Sequence, residues 1–139
     1  MVLQAQQWVN ATYANVSGVT KVTENGKTGW STMYSLTRAL QYELGLASLS
    51  NTFGPGTLGL LQSRGGIKWN ESNKNIVTIL QCACYCKGYA AGNLNGALGE
   101  QTIEALSQMA RNAGLLPGTV TGSTAVKLDS LSPKLTKAF

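Results

Sequence analysis

Three short turns of the form Gly-x-x-Thr constrain this chain more than any other feature. They are Gly29-Trp30-Ser31-Thr32, Gly54-Pro55-Gly56-Thr57 and Gly99-Glu100-Gln101-Thr102. Each stands at the head of a stretch with helical apolar spacing. Leu40-Gln41 recurs 40 residues on as Leu80-Gln81, and Thr57 recurs 45 residues on as Thr102, so these copies differ by a five-residue insertion. A fainter third copy precedes them, with Leu3-Gln4 followed by the turn that ends at Thr32. Recurrence on this scale marks a repeated helix-turn unit that must stack on its neighbours to bury an apolar face.

The turns are helix starts for a physical reason. Pro55 suits the first helical position, where a missing N–H costs nothing and a fixed φ is already helical, which makes Gly54 the N-cap. Alignment gives Gly29 and Gly99 the same role, with Glu100 in a first turn whose dipole favours a carboxylate. Helix ends are marked by Leu44-Gly45-Leu46, Lys87-Gly88-Tyr89 and Ala113-Gly114-Leu115, where glycine takes the left-handed position after the last turn. Between these marks run three apolar stripes: Met33, Leu36, Leu40 and Leu44; Ile76, Ile79, Leu80 and Ala83; Ile103, Leu106, Ala110 and Ala113. Val2 to about Ala14 forms a first helix through Val2, Ala5, Trp8 and Val9, and Gly56 to Gln62 a short one through Leu58 and Leu61. Ser132-Pro133 opens a last helix that breaks off at Phe139, as it would in a longer protein. Segments 18–23 and 119–126 alternate too weakly for strands and read as loops, with room for a short hairpin.

Composition narrows the chemistry. The 139 residues hold no histidine, which removes Ser-His-Asp triads, imidazole bases and His-ligated zinc. Eleven Lys and Arg against six Asp and Glu give a net charge of +5, spread evenly with no basic run or arm, so a nucleic-acid interface is not expected. Cys82, Cys84 and Cys86 have no distant partner for a disulfide, and Cys84 points away from the face that the other two share on a helix; they read as small buried residues. No metal or other cofactor is implied. The amino terminus lacks the basic and apolar regions of a signal peptide, and no apolar run approaches the roughly 18 residues that span a bilayer.

The unit of Leu-Gln helix, glycine helix end, Asn- or Gly-bearing loop and Gly-x-x-Thr helix start resembles the three-helix peptidoglycan-binding domain that accompanies cell-wall amidases and lysins. Ile79-Leu80-Gln81, Lys87-Gly88-Tyr89, Asn95-Gly96-Ala97-Leu98-Gly99, Thr102 and Ala105-Leu106 carry the resemblance best. Asn51-Thr52-Phe53-Gly54 lacks a glycine after its Asn and departs from the pattern. Gln6-Gln7-Trp8-Val9-Asn10, Glu24-Asn25-Gly26-Lys27-Thr28-Gly29-Trp30 and Leu36-Thr37-Arg38-Ala39-Leu40-Gln41 resemble tandem modules that precede a glycoside-hydrolase-like barrel in Gram-positive proteins. The resemblance implies an all-α chain of tandem three-helix repeats with interlocked helices and long loops. Its first unit would be 1–65 and its second 66–118, with 119–139 a linker and the start of a following helix.

The acids are Glu24, Glu43, Glu71, Glu100, Glu104 and Asp129. Glu100 and Glu104 share a helix start and suit the dipole, while Glu43 beside Tyr42 reads as a surface residue, so no carboxylate pair of the glycosidase kind is expected. Flat aromatic faces are the better candidates for sugar recognition. Trp8 and Tyr34 fall near the apolar stripes and are expected in the core. Trp30, Tyr42 and Trp69 are left to face outward.

These readings give a non-catalytic module that binds peptidoglycan or a related wall polymer and holds an attached hydrolase-like domain at the wall, outside the cell. The expected contacts are Trp30, Tyr42, Asn51, Thr57, Asn95 and Thr102, with helix N–H groups at Gly54-Pro55 and Gly99-Glu100 meeting stem-peptide carboxylates. The alternatives are a packing module that touches no glycan, a muramidase-like hydrolase using Glu43 or Glu100, and a helix-turn-helix-like binder of nucleic acid. Neither nucleic acid nor a membrane is the expected partner.

Overall fold

The computed structural model describes residues 1–51, 55–63 and 72–112. Its elements, in chain order, are α1 (Val2–Thr12), α2 (Trp30–Leu44), α3 (Pro55–Ser63), α4 (Lys74–Cys86) and α5 (Glu100–Asn112). Among the described residues every regular element is an α-helix, so the chain is all-α there. The Gly54 cap, Trp69, Glu71, the helix end at Gly114, the weak segment 119–126, Asp129 and the helix at Ser132-Pro133 lie outside the described residues, as does the proposed unit 119–139.

Helix boundaries follow the local chemistry. Gly29 is the extended N-cap of α2, and Pro55 opens α3 as its ring requires. At the end of α2, Gly45 turns left-handed at φ 84°; its N–H donates to Tyr42 O and the Leu46 N–H to Gln41 O. The same two bonds close α4, from Gly88 to Tyr85 O and from Tyr89 to Cys84 O. Both ends thus satisfy carbonyls that the last turn leaves free. The α4 start adds a cap not anticipated from the repeats: the Asn73 carboxamide oxygen accepts from Asn75 N and Ile76 N.

Helix α4 is the hub, packed against α1, α2 and α5. Sequence spacing predicts one apolar stripe on it, yet every residue from Ile76 to Cys84 is buried. The run Ile-Val-Thr-Ile-Leu-Gln-Cys-Ala-Cys has no charged face, and a helix without one is covered on all sides. Cys84, on a different face of the helix from Cys82 and Cys86, is therefore buried all the same. One core unites Ala5, Val9, Met33, Leu36, Leu40, Ile76, Ile79, Leu80, Cys82, Ala83 and Leu106.

Two sequence expectations change here. Tyr34, expected in the core, is 38% exposed, because position 34 lies off the line that Met33, Leu36 and Leu40 present to α4. Glu43, read as a surface residue, is half-buried and accepts hydrogen bonds from Tyr13 Oη (2.8 Å), Asn73 Nδ2 (3.1 Å) and Asn75 Nδ2 (3.1 Å). It joins the end of α1 to the start of α4. Trp8 is half-buried against the core, edge-on to Tyr13 at 5.7 Å.

Candidate functional site

The repeated Gln and Thr residues meet inside the protein, and this meeting shapes the helix starts. Gln81 Nε2 donates to Thr102 Oγ1 at 3.0 Å, to Asn95 Oδ1 at 3.2 Å and to Ala97 O at 3.1 Å. Its Oε1 accepts from Gly96 N at 3.2 Å. Gln41 Nε2 donates to Thr57 Oγ1 at 3.1 Å while its Oε1 accepts from Ser50 N at 2.8 Å. Near the amino terminus the same chemistry belongs to Gln6, which donates to Thr32 Oγ1, Asn25 Oδ1 and Lys27 O and accepts from Asn25 N and Gly26 N. In each case a buried carboxamide fastens an irregular loop to the first turn of the following helix. A loop carries many backbone polar groups, and a buried Gln can satisfy several of them at once.

This geometry corrects the sequence register in two places. The first copy runs through Ala5-Gln6, since Leu3 and Gln4 are exposed. The residue equivalent to Asn25 and Asn95 in the middle copy is Ser50, whose N–H meets Gln41 as the Asn25 N–H meets Gln6. Asn51 sits one position later, exposed, and its Oδ1 accepts from Arg38 Nε at 2.8 Å. Asn25, Ser50 and Asn95 all stand seven residues before the turn threonine, and a serine in place of asparagine, with Asn51 beside it, hid the match.

The six expected contact residues fall into distinct settings. Thr57 and Thr102 are buried, at 2% and 3% exposure, with their hydroxyls engaged by Gln41 and Gln81. Thr102 Oγ1 also donates to Ala91 O at 2.8 Å. Asn95 is exposed, but its Oδ1 takes Gln81 Nε2 and Ala97 N, so it shapes its own loop. Asn95 and Thr102 border one cleft of about 210 Å³ at the start of α5, together with Gly92, Asn93, Gly99 and Glu100. Tyr42 is exposed at 49% and packs edge-on against Tyr13 at 6.0 Å. Trp30 borders a second cleft of about 180 Å³, at the start of α2, with Thr28, Gly29, Met33, Cys86 and Lys87. Thus Asn95 and Thr102 are brought together and Trp30 stands at another helix start.

Electrostatics separates the two clefts, since Glu100 places a carboxylate in one and Lys87 an ammonium in the other. The Lys87 Nζ lies 4.8 Å from the Trp30 ring centroid. Sequence reasoning missed Lys87 and Tyr34, which join Trp30 only through folding and through the off-stripe position of Tyr34. Burial raises the thiols: Cys84 is pushed up to about 12 and Cys86 to about 11, the latter moderated by Lys87. Such thiols are poor nucleophiles. Tyr13 is likewise held protonated, by burial and by the Glu43 carboxylate that its hydroxyl meets. Among the described residues no three metal-ligating side chains converge, and no described helix is long and apolar enough to cross a membrane.

The described residues thus form helices packed on one core, with polar clefts at the starts of α2 and α5. The model of the FadG/YbfG PGDB-like domain family matches residues 1–90, and the chain belongs to that family. It is 53% identical over 116 residues to the uncharacterized protein FadG of Bacillus subtilis (strain 168), covering 83% of this chain and 20% of FadG. It is 43% identical over 115 residues to the uncharacterized protein YbfG of the same strain, covering 83% of this chain and 16% of YbfG. The chain therefore spans a fifth or less of these relatives. No solved structure matches it. The matched family segment includes Trp30, Tyr42, Asn51 and Thr57, while Asn95 and Thr102 follow it.

Proposed function

We propose that this chain is a non-catalytic module that binds peptidoglycan or an associated wall polymer and holds the rest of a longer, hydrolase-bearing protein at the wall. The match to a PGDB-like domain family carries the reading. The clefts at the starts of α2 and α5 support it, because each places backbone and side-chain polar groups beside a fixed loop where a sugar or stem peptide can be met. The repeats are interlocked in this reading: α2 carries Thr32 in its first turn, held by Gln6, and bears Gln41, which holds Thr57. The unit 1–65 then holds two copies of the pattern and the unit 66–118 the third.

In this proposal the contact residues divide the work. Trp30 and Tyr42 present exposed rings to the polymer, and Asn95 with its neighbour Asn93 offers amides at the α5 cleft. Thr57 and Thr102 act from inside, by holding the loops that carry those groups. Glu100 makes the α5 cleft suited to hydroxyls, acetamido N–H groups and ammonium groups, and ill suited to stem-peptide carboxylates. The proposed location, outside the cell at the wall, follows from the ligand.

Co-sedimentation with insoluble peptidoglycan sacculi tests the reading, using sacculi with and without teichoic acid at low and high salt. Retention on stripped sacculi at high salt, weakened by Asn93→Ala with Glu100→Gln, is the expected result. No retention on any preparation would overturn it and leave a packing module for the remainder of the protein.

A further inference from the structure

Trp30 and Tyr34 form an exposed pair that no core contact explains. They lie at i and i+4 on α2, so their side chains share one helix face. Their centroids are 6.0 Å apart and their planes only 25° from parallel, with 62% and 38% of the two residues exposed. Large rings left in water on a small protein mark a contact surface. Beside them stands the Lys87 ammonium, 4.8 Å from the Trp30 ring centroid, on a backbone whose N–H is bonded to Ala83 O and Cys84 O at the end of α4. The adjoining cleft has no acidic lining residue, and the α2 N-cap is a glycine with no side chain to occupy the first-turn N–H groups.

We propose that Trp30, Tyr34 and Lys87 form a subsite for a polysaccharide whose pyranose rings carry carboxylates. The choice of a carbohydrate rests on the wall-binding reading; the choice of an acidic one rests on the charge. Aromatic faces are electron-rich and receive the C–H groups of a pyranose, so the exposed indole of Trp30, with Tyr34 stacked beside it, offers an apolar face that demands no particular hydroxyl pattern. Lys87 supplies what stacking alone lacks. Its contact with the indole face is weak and exposed, and a carboxylate on the stacked sugar replaces it with a charge-assisted hydrogen bond. The positive end of α2 favours the same charge.

The test is titration of the 139-residue chain with tetragalacturonate, with neutral maltotetraose and with tetraglutamate, followed by NMR through the indole N–H signals of the three tryptophans. Tetragalacturonate should shift the Trp30 signal and bind about fivefold more tightly than maltotetraose, a ratio in keeping with one exposed charge contact. Trp30→Ala should weaken it about tenfold. Lys87→Gln should bring its affinity down to that of maltotetraose and leave maltotetraose unchanged. Trp30 is exposed and Lys87 half-buried at a helix end, outside the core cluster, so the variants should keep the wild-type circular dichroism. Equal binding of the two saccharides, tetraglutamate binding as well as tetragalacturonate, or wild-type affinity in both variants would overturn the proposal. Sacculus retention separates it from the wider reading. Retention without tetragalacturonate binding overturns the subsite alone, and tetragalacturonate binding without retention upholds the subsite while the peptidoglycan reading falls.

Discussion

At the residue scale, the buried carboxamides carry the largest individual consequences. Gln6 is almost fully buried and meets five polar groups, whereas Gln4 is exposed one turn edge away. Removing Gln6 leaves the Asn25 and Gly26 N–H groups and the Thr32 hydroxyl without their partner. Each such group costs about 1–3 kcal/mol when it stays dry, so Gln6→Ala should lower unfolding stability by about 2–4 kcal/mol, with partial rehydration setting the lower end. Gln4→Ala should stay within about 0.5 kcal/mol, and urea unfolding compares the two. The glycines make a second contrast. Alanine at Gly45 meets open space and bears only the left-handed penalty, about 1–2 kcal/mol. At Gly96, φ is 71° and an added Cβ would lie 2.8 Å from the Lys74 carbonyl oxygen, so Gly96→Ala should lose clearly more than Gly45→Ala in the same assay. The sequence displayed these Gln and Thr residues as recurrences but not their bonding, because a serine where the other copies have asparagine, at position 50, and an unsuspected register at Gln6 concealed which positions correspond.

Helices and their joints form the next scale. Start signals placed the beginnings of α2, α3 and α5, and a stop signal the end of α2, within a residue or two, since Gly29, Pro55, Gly99 and Gly45 act through local backbone chemistry that sequence states directly. What sequence could not state was company. The burial of α4 on every side depends on α1, α2 and α5 arriving around it, and the Glu43 junction depends on Tyr13, Asn73 and Asn75, 30 to 32 positions away. Ile79→Ala, at a site with no exposure, should cost about 2–5 kcal/mol by deleting methylenes that three helices enclose. Tyr13→Phe should cost about 1.5–3 kcal/mol, the range for a hydrogen bond to a charged group, and should loosen amide exchange at both the end of α1 and the start of α4. Loosening confined to α1 would show that Glu43 does not couple the two.

For the whole molecule, the governing quantities are charge and the state of the thiols. A net charge of +5 distributed over the sequence gives little steering, so wall retention that collapses with salt would argue for adventitious attraction to anionic polymer. Burial raises Cys82 and Cys84 above their ordinary value of 9.0, with Cys84 near 12. In the unfolded chain these thiols deprotonate near pH 9 while the folded state still holds its protons. The unfolded form then binds fewer protons, and stability falls as pH rises. Denaturant midpoints should therefore be flat against pH up to about 8 and decline above about 9, by at most about 1.4 kcal/mol per pH unit for each buried thiol. Cys82→Ala with Cys84→Ala should flatten that decline. In the native protein at pH 8, a thiol reagent should modify Cys86 first and Cys82 and Cys84 only on unfolding. The absence of histidine and the even charge were plain from composition, whereas the joining of Trp30, Tyr34 and Lys87 required two helices to be set side by side.

The Gln–Thr fastening has an evolutionary consequence. Because Gln6 and Gln81 secure the loops and helix starts from within, the residue just after each turn glycine is relieved of any part in holding the backbone. In this chain that position is Trp30 in one copy and Glu100 in another. One internal frame thus displays an aromatic ring at one place and an acid at the other, like interchangeable heads on a common shaft. Descendants of such a module can change the chemistry displayed at the tip by single substitutions, with selection on folding acting elsewhere, and two copies in one chain can drift independently.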